Sequence, residues 1–224
     1  MTFSIAARCA RTRMFGVAIA SSSPAVAARC AHARAGIGAV ATQNITDPAL
    51  GPLILDSLQQ GLGAAAALEA ALRSTAFGAY RQLVVLGAEG APAIHSGTAA
   101  LGQVATAIGE HSAAAGNLLA RTEVPAAMVS AFEAAGGHLG ARLLHALQAG
   151  AQRGGEAGPV HSAGLLVVRE VSWPIVDLRV DWSEHDPLGA LAAIWEIYAP
   201  QIDDYVRRAL DPAAAPTFGV PGDL

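Results

Sequence analysis

The chain has 224 residues, of which 53% are hydrophobic and only 14% charged, and its formal net charge at pH 7 is -4. This composition excludes a disordered chain, and the lack of a basic run argues against a nucleic-acid partner. No window holds the ~18 continuous apolar residues of a membrane helix, so we expect no membrane association. The two cysteines make neither a disulfide framework nor a zinc pattern, and we expect no metal and no cofactor.

The first three apolar segments are predicted to be β-strands. MTFSIAAR begins at the first residue, and its larger apolar side chains alternate with Thr2 and Ser4, so the two sets point to opposite faces. FGVAIASS follows after ARTRM, and GIGAVATQ, residues 36–43, is short, β-branched and bounded by glycine. Because the three segments lie close together in sequence, we expect them to form one antiparallel set.

The second of these segments also resembles part of a secretion signal. Arg8, Arg11 and Arg13 precede FGVAIA, but this apolar run is shorter than the usual ~7–15 residues and follows a strand-like segment. We therefore expect a strand and a cytoplasmic protein with reduced thiols, and a secreted form is the alternative.

Two helical blocks alternate with further strands. Asp47 and Pro48 predict a helix start, followed by LGPLILDSLQQGL and AAAALEAALR. RQLVVLGA and PAIHSG flank Glu89-Gly90 and are predicted to form a hairpin. The remaining elements are a weakly strand-like VATAIGEHSAAAGN, a helical block over about 124–150, the strands HSAGLLVVRE and IVDLRV, and a helix over about 187–210.

The order of these blocks predicts the fold class. The predicted order is a group of strands, two helices, a second group of strands, two helices, a third group of strands and a helix. Because single strands do not alternate with single helices, this order disfavours a parallel Rossmann-type sheet. We expect an α+β fold, a four-layer αββα sandwich of two antiparallel sheets, because strands such as LLVV lack polar alternation and must be covered on both faces. Residues 1–211 are predicted to be one domain, residues 212–224 an extended or disordered tail, and the apolar surplus predicts a homo-oligomer.

Candidate chemistry comes from polar side chains at strand ends. His138 and His145 would share a helix face without a third ligand, and the sequence has no HExxH, Walker loop, GxGxxG or GxSxG motif. Amides and hydroxyls at strand ends either form an oxyanion site around one nucleophile or satisfy loop backbone. The residues concerned are Ser21, Ser22, Ser23, Gln43, Asn44 and Asn117.

The ordered set MTFSIAAR, GVAIAS, RAGIGAVATQ, TDPALGP, RQLVVLGAEG, AGNLLA, SAGLLVV and VDLRVD resembles a bacterial family of N-terminal-nucleophile (Ntn) hydrolases. This is the domain-of-unknown-function family numbered ten twenty-eight, and the similarity spans about residues 2–187. The resemblance implies the αββα sandwich and a catalytic residue at the start of the mature chain.

Under this resemblance, Thr2 is the nucleophile after Met1 is removed, and its own α-amine, with a pKa of about 7.7–8.0, is the base. Removal of Met1 is normally efficient when a small residue follows. Gln43 and Asn117 are the expected catalytic contacts for an oxyanion. The expected substrate-binding residues are Ser21, Arg34 and Asn44.

The resemblance predicts an amidohydrolase that acts on a small amide, ureido or acyl-amino substrate. The sequence departs from the family at Ser22, where many relatives carry arginine, at His161, and in ALGQVAT, which lacks an expected Cys and Trp. These departures concern the substrate pocket more than the fold. The one at Ser22 favours the alternative, a non-catalytic relative that binds a small molecule or serves in assembly.

The topology predicts that the site residues meet although they are far apart in sequence. Thr2 begins the first strand and Ser21 ends the second, so antiparallel pairing places them together. Gln43 is expected to lie beside them, and Asn117 is expected to approach from the facing sheet.

Overall fold

The structure is a computed structural model that describes residues 2–216 as a mixed α+β fold with two antiparallel sheets. The six-stranded sheet contains, in spatial order, β10 (Val176–Val180), β9 (Ser162–Val168), β2 (Met14–Ser21), β1 (Thr2–Cys9), β8 (Ser112–Asn117) and β7 (Ala105–Ile108). The four-stranded sheet contains β3 (Ala31–Arg34), β4 (Gly38–Asn44), β5 (Arg81–Gly87) and β6 (Ala93–Ser96).

Helices cover the outer faces of both sheets. They are α2 (Leu50–Gln59), α3 (Ala64–Arg73), α4 (Val124–Ala134), α5 (Leu139–Gln152), α6 (Pro187–Tyr198) and α7 (Ile202–Leu210). The short helix α1 (Val26–Cys30) instead packs into the apolar cluster between the two sheets. In the larger sheet, α4 and α5 pack on β1, and α6 packs on β9 and β10. In the smaller sheet, α2 packs on β3 and β4, and α3 packs on β5 and β6. The inner faces of the two sheets pack against each other, with β1 against β4.

Side-chain alternation along β1 decides what faces the second sheet. Phe3 and Ile5 belong to the apolar cluster beneath α4 and α5. Ala6 belongs to a different cluster, which lies between the sheets and includes residues of β4 and β5. Because alternate residues of a strand point to opposite faces, Thr2 and Ser4 also face the second sheet. The predicted alternation is therefore present, and it directs the hydroxyls of β1 into the interface between the sheets.

The expectation that the first three predicted strands form one antiparallel set is wrong. GIGAVATQ forms β4, which lies in the four-stranded sheet between β3 and β5. The position beside β2 is occupied by β9, which pairs with it from Phe15 opposite Val168 to Ser21 opposite Ser162. β2 therefore pairs with β1, its neighbour in sequence, on one side and with the fully buried β9 on the other.

Two connections were missed in the sequence. The chain crosses between the sheets through the five-residue helix α1 and the short edge strand β3, neither of which is long enough to show a periodic pattern. The predicted single segment VATAIGEHSAAAGN is a hairpin of β7 and β8, closed by the Gly109 N–H donating to the Ser112 carbonyl at 2.8 Å.

Helix α2 begins at Leu50 rather than at Pro48, because Asp47 caps a preceding turn by accepting from the Ala49 N–H at 3.1 Å.

The segment weighed as a secretion signal forms the central strand β2, which is buried throughout. Within residues 2–216, none of the helices has the length and apolarity needed to cross a membrane. Met1, whose removal was predicted, and residues 217–224 of the predicted tail lie outside the described residues.

Candidate active site

A row of polar residues crosses four adjacent strands at one end of the larger sheet. Asn117 of β8 is the register partner of Thr2 in β1, and Ser21 of β2 is the register partner of Ser162 in β9. The hydroxyl oxygens of Thr2 and Ser21 lie 3.2 Å apart, which joins the two halves of the row. All four residues are buried, and Thr2 itself is only 5% exposed.

The serines of this row also hold the turn that follows β2. The Ser21 hydroxyl accepts from the Ser23 N–H at 3.0 Å. The Ser162 hydroxyl donates to the Ser23 carbonyl at 2.6 Å and accepts from the Val26 N–H at 3.3 Å. The turn over residues 22–25 is therefore fixed next to Thr2 by side chains of the row itself.

Gln43 reaches the site from the opposite sheet. Its Oε1 accepts from the Ser4 hydroxyl at 2.6 Å, and its Nε2 donates to Gln82 Oε1 at 2.7 Å and to the Ala115 carbonyl at 3.1 Å. Both N–H bonds of the amide are thus engaged within the protein. In this state Gln43 positions its neighbours and has no N–H directed to a ligand.

Gln82 is the centre of the network, and sequence reasoning missed it. Its Oε1 accepts from Asn117 Nδ2 at 3.0 Å as well as from Gln43, and its Nε2 donates to the Ser96 hydroxyl at 2.9 Å and to the Gly116 carbonyl at 3.1 Å. The available signal was in RQLVVLG, where an amide follows Arg81 at the start of an apolar run. An amide placed at such a position is hydrogen-bonded when it is buried.

Asn117 differs from the other two amides because part of its capacity is unused. Its Nδ2 donates to Gln82, whereas its buried Oδ1 has no hydrogen-bond partner among residues 2–216. A buried acceptor without a partner costs about 1–3 kcal/mol, so its retention calls for an explanation. Asn117 is the amide that remains available to a ligand or to the amino terminus of a chain that starts at Thr2.

Asn44, the neighbour of Gln43, is used to shape a loop. Its backbone adopts a left-handed conformation with φ of 72°, its Nδ2 donates to the Tyr80 carbonyl at 2.6 Å, and its Oδ1 accepts from the Leu101 N–H at 3.1 Å. Both ends of this amide join loops around the site. Asn44 therefore borders the row and supports its surroundings.

Arg34 is not brought to the row. It is paired in register with Gly38, at the opposite end of β4 from Gln43, which is about 17 Å at ~3.3 Å per residue. Its guanidinium forms an ion pair with Asp56 at 2.8 Å and donates to Gln59 Oε1 at 2.6 Å. The partners of Arg34 are on α2, so its contact in this structure is with the outer helix layer.

Glu156 is a second residue that the sequence did not reveal. It lies in the glycine-rich loop after α5, its backbone bridges Leu119, and its side chain is buried with neither carboxylate oxygen hydrogen-bonded within residues 2–216. Burial raises the pKa of Glu156 to about 7, and the nearby N–H and hydroxyl of Ser22 oppose that rise. No sequence signal could have found it, because RGGEAG has the composition of an ordinary loop.

The histidines and cysteines provide no alternative centre in the described part of the chain. The His138 ring caps α5 by accepting from the Gly140 N–H at 3.0 Å, and the His161 ring stacks on Trp182 with centroids 4.3 Å apart. Cys9 and Cys30 are unpaired with each other and buried. Residues 2–216 contain no group of three or more residues suited to hold a metal ion.

Comparison with known proteins identifies the family. The sequence matches the model of a family of unknown function, DUF1028, over residues 2–191. The crystal structure of protein SPO2555 from Silicibacter pomeroyi, assigned to the same family, is similar with a TM-score of 0.85 and 28% identity, covering 92% of this chain and 90% of that one. A search among curated proteins gave no match. Because the family model covers most of its length, the chain belongs to the DUF1028 family.

Proposed function

We propose that this protein is an amidohydrolase that uses Thr2 as an amino-terminal nucleophile, after Met1 is removed, on a small amide, ureido or acyl-amino substrate. The helix layers outside two facing sheets agree with the four-layer αββα sandwich of the Ntn hydrolases, and we propose that superfamily for this chain. The reaction requires no metal ligand and no histidine.

The proposed reaction uses the two functional groups of one residue. The Thr2 hydroxyl oxygen attacks the substrate carbonyl carbon while its proton passes to the α-amine, whose ordinary pKa lies near neutrality. The amine then gives this proton to the leaving nitrogen as the carbon–nitrogen bond breaks, which leaves an acyl ester on Thr2. Water attacks the ester, releases the acid and restores the hydroxyl.

The observation that carries the proposal is the setting of Thr2. It is the second residue of the chain, yet it lies buried in the row with Ser21 and Asn117 instead of on an exposed edge. Termini of most domains are poorly ordered unless they are tied down. Asn117 supplies the polar group nearest in register, and its unpartnered Oδ1 and second Nδ2 hydrogen are suited to contact the amine or the developing oxyanion.

The test is covalent trapping by a β-lactone probe, followed by intact mass spectrometry. All 14 basic residues of the chain are arginine, so the α-amine is its one primary amine. We expect a mature chain that begins at Thr2, a single added acyl group that peptide mapping locates on Thr2, and its release by hydroxylamine, which cleaves an ester and spares an amide.

Three variants serve as controls for the trapping experiment. Thr2→Ala should abolish labelling, whereas Thr2→Ser should retain it because serine keeps both the amine and the hydroxyl. Thr106→Ala, at an exposed position of β7, should label as the parent does. A chain that retains Met1, or equal labelling of the parent and Thr2→Ala, would contradict the proposal.

One observation favours a second candidate, a small-molecule-binding or assembly protein without catalysis. Gln43 donates both amide hydrogens, to Gln82 Oε1 and to the Ala115 carbonyl, and Gln82 donates both of its own, to Ser96 and to the Gly116 carbonyl, as in a network that only joins two sheets. This candidate predicts a folded protein that the β-lactone leaves unmodified at Thr2. The same mass measurement therefore separates the two candidates.

A further inference from the structure

Glu156 is a buried carboxylate beyond the amino-terminal end of β1. Its backbone bridges Leu119, two residues after Asn117, which is the register partner of Thr2. A Cβ placed on its neighbour Gly155 would lie 3.4 Å from the ring of Phe3. The loop that carries Glu156 is thus packed on the first residues of β1.

Hydrogen bonds fix this loop in place. The Ala120 N–H donates to the Gly155 carbonyl at 3.1 Å, and the Ala157 N–H donates to the Leu118 carbonyl at 2.8 Å, so the backbone on both sides of Glu156 is held by the segment after β8. The carboxylate approaches Ser22, which follows Ser21 at the end of β2. Glu156 is therefore placed between the ends of β8 and β2, and β1 lies between these two strands in the sheet.

The cationic side chains near this loop do not neutralise Glu156. Arg153 lies in the same loop, and the Arg121 side chain passes within 3.5 Å of the position of a Cβ on Gly154. Both arginines are exposed, and neither forms an ion pair with Glu156 in the structure of residues 2–216. A further cation at this end of the sheet would be the α-amine of a chain that starts at Thr2, the register partner of Asn117.

We propose that the Glu156 carboxylate holds the free α-amino group of the mature chain and so acts as a positioning residue for the proposed base. This inference rests on the proposed function, because it requires an amine on Thr2. A buried carboxylate without partners is unfavourable, whereas one that accepts hydrogen bonds from an ammonium group is stabilised. The pairing would thus supply donors to a carboxylate that accepts no hydrogen bond from residues 2–216.

The pairing also has a role in proton transfer. The α-amine becomes an ammonium when it takes the proton of the Thr2 hydroxyl, and the adjacent negative charge of Glu156 stabilises that ammonium until the proton passes to the leaving nitrogen. A carboxylate within about 4–6 Å raises the pKa of an amine by roughly one unit or more. Glu156 contacts the amine and not the substrate, so it acts through Thr2.

The test measures the amine directly. A chain that starts at Thr2 is prepared by cleaving a removable amino-terminal fusion, with threonine labelled with carbon-13, and the Thr2 Cα resonance is followed against pH by NMR. Thr2→Ser, in which this resonance is missing, assigns it. We expect the amine of Glu156→Gln to titrate about one pH unit below the amine of the parent, because the neutral amide does not favour the ammonium.

Glu110→Gln is the matched control, because the Glu110 side chain is 84% exposed and distant in the fold. Its amine should titrate as in the parent. Equal amine pKa values in the parent and in Glu156→Gln would overturn the inference. If Glu156→Gln does not fold, Glu156→Ala is titrated in its place, with the same expected downward shift and the same overturning result.

The β-lactone experiment distinguishes a failure of this inference from a failure of the proposed function on which it rests. A shifted amine pKa without labelling of Thr2 would support the contact and contradict the hydrolase. Labelling of Thr2 with an amine pKa that does not depend on Glu156 would support the hydrolase and overturn the contact. If both proposals hold, the maximal rate of β-lactone labelling should be lower in Glu156→Gln than in the parent. The pH at which labelling reaches half of its maximal rate should also be about one unit lower.

Discussion

At the scale of single residues, the site separates into satisfied and unsatisfied polar groups. The amides of Gln43 and Gln82 are fully engaged and join the two sheets. Asn117 Oδ1 and the Glu156 carboxylate are buried without hydrogen-bond partners in the described chain. Because unpaired buried groups are destabilising, the two unsatisfied residues are better candidates for chemistry than the two satisfied ones.

The buried carboxyl of Glu156 predicts a pH dependence of stability for the chain that begins at Met1. Burial raises its pKa from 4.5 to about 7, so between these values the folded chain binds more protons than the unfolded chain. The free energy of unfolding therefore falls as the pH rises through this window, by up to about 3 kcal/mol. Glu156→Gln should lack this loss, and its stability relative to the parent should increase from about pH 5 to about pH 8.

Urea denaturation of both proteins at the two pH values measures this difference, since all other titrating groups are shared. Glu110→Gln, at an exposed position, should show the same pH dependence as the parent. A constant difference between Glu156→Gln and the parent across the window would contradict the raised pKa.

At the scale of elements, close packing of α5 on the larger sheet keeps β1 and β2 in place. Gly16 of β2 lies under this helix, and a Cβ there would be 2.5 Å from the Leu166 carbonyl oxygen and 2.8 Å from Leu143 Cδ1 of α5. The first contact is with backbone of β9 and the second with the helix. A side chain at Gly16 would thus separate layers on which the row of polar residues depends.

We expect Gly16→Ala to lower the free energy of unfolding by about 1–3 kcal/mol, because the added methyl group forces backbone and helix apart. Gly136→Ala is the matched control, since a Cβ at Gly136, in the loop between α4 and α5, meets nothing within 4 Å. Chemical denaturation of both variants measures the effect. Equal stabilities would show that α5 is free to shift.

At the scale of the whole molecule, packing of the helices and sheets leaves some large hydrophobic residues exposed. Ile197 of α6 is 69% exposed and Leu210 of α7 is 63% exposed, and the stacked rings of Tyr198 and Tyr205 belong to the same two helices. α6 packs on β10, at the edge of the larger sheet that lies opposite β7. We propose that these exposed residues form the surface through which the predicted homo-oligomer assembles.

We expect light scattering to give at least twice the chain mass of 22.6 kDa, and the combined change Ile197→Lys and Leu210→Lys to give the mass of one chain. Ile108→Lys, on β7 at the other edge of the sheet, is the control and should leave the assembly intact. A parent that elutes as one chain would contradict the prediction. Dissociation by Ile108→Lys alone would place the interface at the opposite edge.

Much of the fold could be predicted because its elements are long and periodic. The alternation in MTFSIAAR divided the side chains of β1 between two faces, and the uninterrupted apolar run in SAGLLVV indicated a strand covered on both faces. The pairing of β2 with β9 could not be predicted, because the paired residues Ser21 and Ser162 are more than 140 positions apart in the sequence. Pairing over such distances leaves no local pattern in the sequence.

The site was predicted in part, and for a similar reason. The ends of β1, β2 and β8 meet, so Thr2, Ser21 and Asn117 come together as expected, although Asn117 belongs to the sheet of Thr2 and Gln43 comes from the facing one. Arg34 was misplaced because β3 runs antiparallel to β4 and carries it to the far end. Glu156 depends on how one glycine-rich loop folds back, which composition does not encode.

The central position of β1 has a consequence for the order of events during synthesis. β1 is synthesised before its partner β8, which ends at Asn117, 115 positions after the Thr2 that it pairs with. At ~5–20 residues per second, the ribosome needs roughly 6–23 s to make that stretch. Until then one edge of β1 is unpaired and the amino terminus is accessible to processing enzymes, whereas afterwards Thr2 is enclosed between β2 and β8. For the removal of Met1 that we propose, the available time is therefore set by translation and ends when β8 pairs with β1.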